Sequence, residues 1–321
     1  MRNSAPRVSI GLPVFNGEAY LEQALDAILA QTFTDFELII SDNASTDRTR
    51  QICMEYAARD ERIHYYRHEK NLGAARNFNR VFELSTGEYF KWAAHDDLMA
   101  PDFLIKCVQV LDADPSVVLC HSNVRFIDQL GKFLADYEIK LGKVSSPRAS
   151  DRFGELILMH HWCFHVFGLI RRAVLENTSL IASHIGSDRN MLVALALLGR
   201  FYDIPEYLFF SRDHPERSLK AMSLHSRAAW FDTSKAGRPV FPRWRIYFEY
   251  CRSLGRMSLG SRERLGCYLH LGNWLRLYGK GLVKDLMIAL YQTLQFNSSS
   301  MSGSETRVLG ENLVSKLREH K

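Results

Sequence analysis

Residues Gly87–Leu104 read GEYFKWAAHDDLMAPDFL. An apolar, β-prone run from Tyr89 to Ala93 stops on His95, Asp96 and Asp97, and Pro101 then opens a helical stripe of Phe103, Leu104, Val108 and Leu111. Strand, polar turn and helix in that order make the repeating unit of a parallel sheet. The stretch also raises a chemical question. Two adjacent carboxylates repel each other, and taking them out of water costs several kcal/mol unless a cation or strong donors face them. A solvated turn explains such a pair equally well when nothing else converges on it.

The same unit recurs upstream. Arg7–Leu12 reads as a strand ended by Pro13, followed by Leu21, Ala24, Leu25, Ile28 and Leu29 on one helical face. Phe36–Ser41 is a second strand, with a helix beginning near Thr46 or Asp47. Ile63–Arg67 is a third, followed by the stripe Ala74, Phe78, Val81 and Phe82, and Val117–Cys120 closes the series. The expected fold class is therefore α/β, a mixed, mainly parallel sheet flanked by helices. In such sheets ligands gather beyond the carboxyl ends of the strands. Four polar clusters fall there: Pro13 to Asn16, Ser41 to Asn43, Asn71 to Gly73, and His95 to Asp97.

Beyond Asn123 the alternation fades. Phe126–Leu134 suggests a hairpin turning near Gly131, residues 152–160 a helix, and Trp162–Ile170 a strand. A helix spans Ser187–Leu198 with Ser187 as its cap, and two short strands, Phe201–Ile204 and Tyr207–Phe210, lead to Arg212-Asp213-His214-Pro215. Residues 218–242 read as a mobile loop, 243–297 as helices, and 298–304 as a flexible link to a last short helix. The expected division is a domain over 1–218, split into halves at 123/124, and a loop with a helical C-terminal extension over 219–321.

With 321 residues, 46% hydrophobic and 24% charged, the chain can bury a substantial core, and this composition is not that of a disordered polymer. Six cysteines without C-x-x-C spacing argue against a zinc site or a disulfide scaffold and suit reduced thiols in a cytoplasmic protein. The first residues lack the apolar core of a signal peptide, and Leu282–Phe296, interrupted by Lys284 and Asp285, falls short of a membrane-spanning helix. The net charge of +5 hides an asymmetry: residues 1–218 hold 24 Lys/Arg against 29 Asp/Glu, and residues 219–321 hold 17 against 7. That basic, aromatic tail suits an anionic membrane surface or nucleic acid, or is simply a solvated helical face.

A diphosphate ligand needs a divalent cation or clustered donors, and Mg²⁺ takes oxygen ligands, typically one or two carboxylates plus phosphate oxygens. Asp96 and Asp97 at a strand end supply them. Adjacent side chains on an extended backbone point apart, so one would reach the metal and the other a ligand hydroxyl. His214 offers a further ring nitrogen.

Taken together, VSIGLPVFNGEAYLEQALDAILAQTFTDFELIISDNASTDRT from Val8, NLGAARNFNRVFELSTGEYF from Asn71 and HDD from His95 resemble the nucleotide-sugar half of the family 2 inverting glycosyltransferases, which have the GT-A fold. The resemblance implies that Pro13, Val14 and Phe15 border the nucleotide base and that Asp42 contacts it. It places Asn71, Gly73 and Arg76 against the nucleotide, Asp96 near the ribose, and Asp97 and His214 on a metal, Mn²⁺ or Mg²⁺, that bridges the diphosphate. Inverting transfer also needs a base for the acceptor hydroxyl. The family has an acidic residue at a helix start in the second half, which here is Asp188 in GSDRNMLVALALLGR; relatives often have Glu-Asp where this chain has Ser187-Asp188. Gly168 in FGLIR resembles a segment near the donor sugar, where a glycine permits close approach of a ring.

The expected partners are a nucleotide-sugar donor and a glycan or lipid-linked acceptor, with peripheral membrane contact through the basic tail or a homodimer contact as further readings, and no nucleic acid. A nucleotide- or glycan-binding protein that has lost turnover is the alternative from another class. A dinucleotide oxidoreductase lacks support, because no G-x-G-x-x-G follows the first strand.

Overall fold

The computed structural model describes residues 5–216, 226, 230–233 and 241–298, the side chains as far as residue 288. Its strands are β1 (Val8–Val14), β2 (Phe36–Asp42), β3 (Ile63–Arg67), β4 (Tyr89–Trp92), β5 (Leu98–Met99), β6 (Val117–Ile127), β7 (Phe133–Tyr137), β8 (Leu169–Arg171) and β9 (Arg200–Arg212). They form one sheet in the order β3-β2-β1-β4-β8-β6-β9-β5, with β7 paired to β6. Every residue of β1 and β2 is buried, as a strand covered on both faces requires, which is why both read as nearly unbroken apolar runs.

The helices follow from spacing. Helix α1 (Leu21–Leu29) buries Leu21, Ala24, Leu25 and Ile28, α3 (Ala74–Glu83) buries Ala75, Val81 and Phe82, and α4 (Phe103–Ala113) buries Phe103, Leu104, Cys107, Val108 and Leu111. Helix α2 (Thr49–Arg59) covers β3, α5 (Ala149–Leu158) and α7 (Ser187–Leu198) pack together, and α6 (Arg172–Leu175) is a single turn after β8. At the C-terminus α8 (Pro242–Arg256) and α9 (Ser261–Ser298) pack on α7 and α5, so that Tyr250, Leu254, Cys267, Leu271 and Trp274 share one hydrophobic cluster with Phe90, Trp92, Phe153 and Leu192. Small residues allow the closest approach: a Cβ on Gly154 would lie 2.7 Å from the His270 ring, and one on Gly266 2.8 Å from Ser150.

Direction matters more for the site than shape. β1, β2, β3 and β4 are parallel, β8 runs against both β4 and β6, and β9 is parallel to β6. Two reversals cancel, so β9 points the same way as β4. Its end, Arg212 to His214, therefore arrives at the sheet edge where β4 delivers Asp96 and Asp97.

The mainly parallel α/β architecture and the C-terminal helices agree with expectation, and the hairpin does turn at Gly131, with φ +81°. Two elements differ. Trp162–Ile170 is not one strand: Phe164–Phe167 forms a 3₁₀ turn with Phe164, His165 and Val166 buried, and only Leu169–Arg171 pairs. The two strands expected over 201–210 are one, β9, which absorbs Pro205 in a register shift: Ser122 faces Ile204 and Asn123 faces Tyr207. Proline has no N–H for the ladder, and a bulge accommodates it. Most of the expected loop over 218–242, and the link and last helix beyond 298, lie outside the described residues.

Candidate active site

β1 and β2 end in register, Val14 beside Asp42, and Asp42 beside Arg67 of β3. Pro13 and Val14 are buried, whereas Phe15 is exposed at the rim. Asp42 is wholly buried and holds this corner together: its Oδ1 accepts from the Ser45 amide at 2.8 Å, and its Oδ2 from Tyr65 Oη at 2.8 Å and Arg67 Nε at 3.2 Å. Burial and the bond to this carboxylate push the Tyr65 phenol up, keeping it a donor.

Next to it Asn43 and Asn71 cross-brace the loops. Asn43 Nδ2 donates to Asn71 Oδ1 at 2.9 Å, and Asn43 Oδ1 accepts from the Leu72 amide at 2.8 Å. Gly73 caps α3 with φ +86°, a conformation open to glycine at little cost, and a Cβ there would lie 2.8 Å from the carbonyl oxygen of Phe231. Asn77 reaches back from α3 to the Ser41 carbonyl at 2.9 Å. Arg76 is exposed on the same helix.

The acidic pair is assembled across 118 positions of sequence: His214 Nε2 lies 2.9 Å from Asp96 Oδ2, and the Tyr20 ring is 5.0 Å from the imidazole. Burial drives the Asp96 carboxyl up, but the His214 hydrogen bond and the neighbouring charge of His95 and His214 outweigh it and hold the carboxyl below its ordinary value. Asp97 Oδ1 accepts from the Arg212 backbone amide at 2.9 Å. The two side chains thus have separate partners, as alternation on an extended backbone implies.

Arg212 is the structural key to this arrangement. Its side chain is fully buried, and the guanidinium donates to the Asp96 carbonyl (2.9 Å), the Asp128 and Gln129 carbonyls (3.2 and 3.0 Å) and Gln23 Oε1 (2.8 Å), with the Tyr20 ring 4.8 Å away. A buried charge costs several kcal/mol unless its donors are satisfied, and the planar fork satisfies them here. Behind Asp97 lies a second buried cation. Lys91 donates to the Phe167 and Trp92 carbonyls over the faces of Phe103 and Phe209; burial lowers its ammonium to about 7, against the opposing pull of Cys107 and Asp97.

Asp188 occupies the first turn of α7, half-buried. Ser187 is not the cap: Gly186 takes that position with φ +82°, and Ser187 is the first helical residue. Neighbouring Arg189 is pinned to the Leu156 and His161 carbonyls at 2.8 and 3.1 Å and to His161 Nε2 at 3.1 Å. Burial, followed by the charge of Arg189, lowers His161 to about 4, so the ring is neutral and accepts from Arg189. The Cys163 thiol is pushed up by burial and then by the Asp188 carboxylate beside it. Gly168 packs closely on β6: a Cβ there would lie 2.7 Å from the Cys120 carbonyl oxygen.

Among the described residues no three His, Cys, Asp or Glu side chains already stand as a closed metal-binding group. Asp96 and His214 pair directly with Asp97 adjacent, and His214 Nδ1 is buried with no hydrogen-bond partner among the described residues. Carboxylate and imidazole donors of this kind could hold a divalent cation. Asp96, Asp97, Asp188 and His214 were visible as motif residues; Arg212, Lys91 and the Tyr65–Arg67 clamp were not, because each acts through a partner far away in sequence.

Residues 9–178 match the family described as Glycosyl transferase family 2. An uncharacterized glycosyltransferase of Methanocaldococcus jannaschii is 30% identical over 255 residues, covering 76% of this chain and 86% of its own. Three Rickettsia relatives match over 126 to 132 residues, and this chain spans only 19 to 38% of their length. Among solved structures, S. aureus TarS 1–349 in complex with UDP superposes with a TM-score of 0.61 at 16% identity, over 85% of this chain and 71% of that one. A mannosyltransferase, PcManGT of Pyrobaculum calidifontis in complex with GDP-Man and Mn²⁺, gives 0.55 at 19%, over 99% and 82%. At such identities the likeness establishes the fold alone, which is that of the GT-A glycosyltransferases. With more than half of its length matched by the family and a relative 30% identical covered over 86% of that relative's length, the chain belongs to glycosyltransferase family 2.

Proposed function

We propose that this protein is an inverting, metal-dependent glycosyltransferase that moves a sugar from a nucleoside-diphosphate donor to a hydroxyl of a glycan or lipid-linked acceptor. The observation that carries the proposal is the 2.9 Å contact between Asp96 and His214, which brings the ends of β4 and β9 together beyond the carboxyl ends of the parallel strands, where such sheets bind ligands. In this reading Pro13, Val14, Phe15 and Asp42 shape the base pocket, Asp42 by holding its corner rigid. Asn71, Gly73 and Arg76 flank the nucleotide, and Arg76 is an exposed cation on α3. Asp96 serves the ribose, and Asp97 with His214 holds the metal.

A divalent metal bound there would neutralise the developing charge on the departing diphosphate. Arg212 keeps both carboxylates in place without itself meeting solvent. Asp188, in the favourable field of a helix N-terminus, takes the acceptor proton as the oxygen attacks the anomeric carbon. The bond to the donor oxygen breaks on the opposite face, giving inversion. The PcManGT structure is a complex with GDP-Man and Mn²⁺ and the TarS structure a complex with UDP, so GDP- and UDP-sugars are the donors to try first.

Residues 1–123 would then form the nucleotide-sugar half, 124–218 the acceptor half carrying Asp188, and 219–321 a loop and helical extension, in a cytoplasmic protein of polysaccharide or glycolipid synthesis. No described helix is long and apolar enough to cross a membrane. Incubating the purified chain with GDP- and UDP-sugars, Mn²⁺ and a panel of acceptors, and determining the anomeric configuration of any product, tests the proposal. A product of retained configuration would refute the mechanism.

A further inference from the structure

Helix α9 turns one face into the core and leaves another uncovered. Cys267, Leu271, Trp274 and Leu282 are buried, whereas Leu265, Tyr268, Leu269, Val283, Leu286 and Met287 are exposed; Leu265 retains 62% and Leu269 64% of full accessibility. The exposed residues are not scattered. Leu265 and Val283, Tyr268 and Leu286, and Leu269 and Met287 are each separated by about five helical turns at ~3.6 residues per turn, so each pair shares a stripe. Arg262 and Lys280 have the same separation and, with Lys284, line the adjoining stripe, all exposed.

Among the described residues, the exposed charges that α9 itself contributes have one sign. The described acids of α9 both turn inward: Glu263 accepts from the Ser150 amide at 2.7 Å, and Asp285 pairs with Arg243 at 2.7 Å. Arg264 also turns inward, to the Leu254 and Met257 carbonyls. What remains outside on the described part of α9 is one stripe with two apolar clusters, Leu265, Tyr268 and Leu269 near its start and Val283, Leu286 and Met287 about five turns on, crossed by Arg276 and bordered by Arg262, Lys280 and Lys284. We propose that this face of α9 docks on an anionic lipid bilayer, lying in the headgroup plane with its leucines inserted and its cations against the lipid phosphates. A second copy fits less well, because a symmetric contact would set the cationic stripe against itself. Nucleic acid would leave the apolar stripe in water.

Vesicle co-sedimentation of the full chain tests this without donor or turnover, and so stands or falls separately from the transfer reaction. The wild-type protein is expected to sediment with phosphatidylcholine–phosphatidylserine vesicles at low salt, to be released by high salt, and to remain in solution with phosphatidylcholine alone. The double variants Lys280→Glu/Lys284→Glu and Leu269→Glu/Val283→Glu, altered only at exposed positions and checked for unchanged melting, should each lose binding by about tenfold or more. No binding by the wild-type protein, capture independent of the anionic lipid, or variants that bind as the wild type does would overturn the proposal. So would a stable dimer in light scattering that Leu269→Glu/Val283→Glu dissociates, in the absence of vesicle binding.

Discussion

The backbone amide of Arg212 donates to Asp97 Oδ1 at 2.9 Å, joining residues 115 positions apart. The Arg212 side chain meanwhile holds the Asp96 carbonyl, so a single buried residue at the end of β9 orients both members of the acidic pair. Replacing it by Met leaves the Asp96, Asp128 and Gln129 carbonyls without their donor. Arg212→Met should lower unfolding stability by about 3 kcal/mol or more in urea titration. Arg212→Lys, which keeps the charge but not the fork, should recover only part of this. A loss below about 1 kcal/mol for Arg212→Met would show that the fork is dispensable.

Lys91→Met tests the second buried cation. With its ammonium lowered to about 7 in the folded chain and near 10.5 when unfolded, Lys91 costs stability at any pH below about 10.5, because the unfolded state holds the proton more tightly. That cost is complete below about pH 7 and fades as the pH rises toward 10.5. Met fills similar space without the charge, so its stability relative to wild type should be most favourable near pH 6 and decline in alkaline solution, as read from denaturation midpoints. A difference that does not change between pH 6 and pH 10 would contradict this account.

His161 gives an acid-side counterpart. Its folded value of about 4 lies below the ordinary 6.5, so the unfolded state binds more protons between those values, and stability falls as the pH drops through that window. The shift corresponds to about 3 kcal/mol at most. His161→Gln, which can still accept from Arg189, should flatten this slope. An unchanged slope in the variant would assign the acid sensitivity to another group.

The parallel half of the fold was legible because burial on both faces of β1 and β2 demands unbroken apolar runs, and the stripe on α1 repeats at helical spacing. Asp96, Asp97 and Asp188 were legible because each sits at the end of such an element. Phe164–Phe167 was not: aromatic and β-branched residues suit a strand, but the same residues form a 3₁₀ turn with three of its four side chains buried, and propensity measures fit to a surface more than a backbone angle. Pro205 suggested a break where the chain instead bulges and continues. Arg212 and Lys91 were hidden for another reason. Their importance lies in what surrounds them, and isolated cations in strands carry no spacing signature.

Asp188→Asn separates catalysis from binding. If Asp188 is the base, transfer should fall by about 10² to 10⁴ while the affinity for UDP or GDP with Mn²⁺ in calorimetry stays within about twofold. Transfer at the wild-type rate would remove Asp188 from the mechanism. Tight donor binding by a wild-type protein that never transfers sugar would favour a non-catalytic binder.

The central claim is that Asp97 and His214 hold a cation that grips the diphosphate of the donor. Its most direct test is the thermal shift produced by UDP and by GDP with Mn²⁺, with chelator, and in Asp97→Ala. At least one nucleotide should stabilise the wild-type protein only when Mn²⁺ is present, and Asp97→Ala should weaken that response by about tenfold or more. Equal stabilisation in excess chelator, or a full response from Asp97→Ala, would contradict the account.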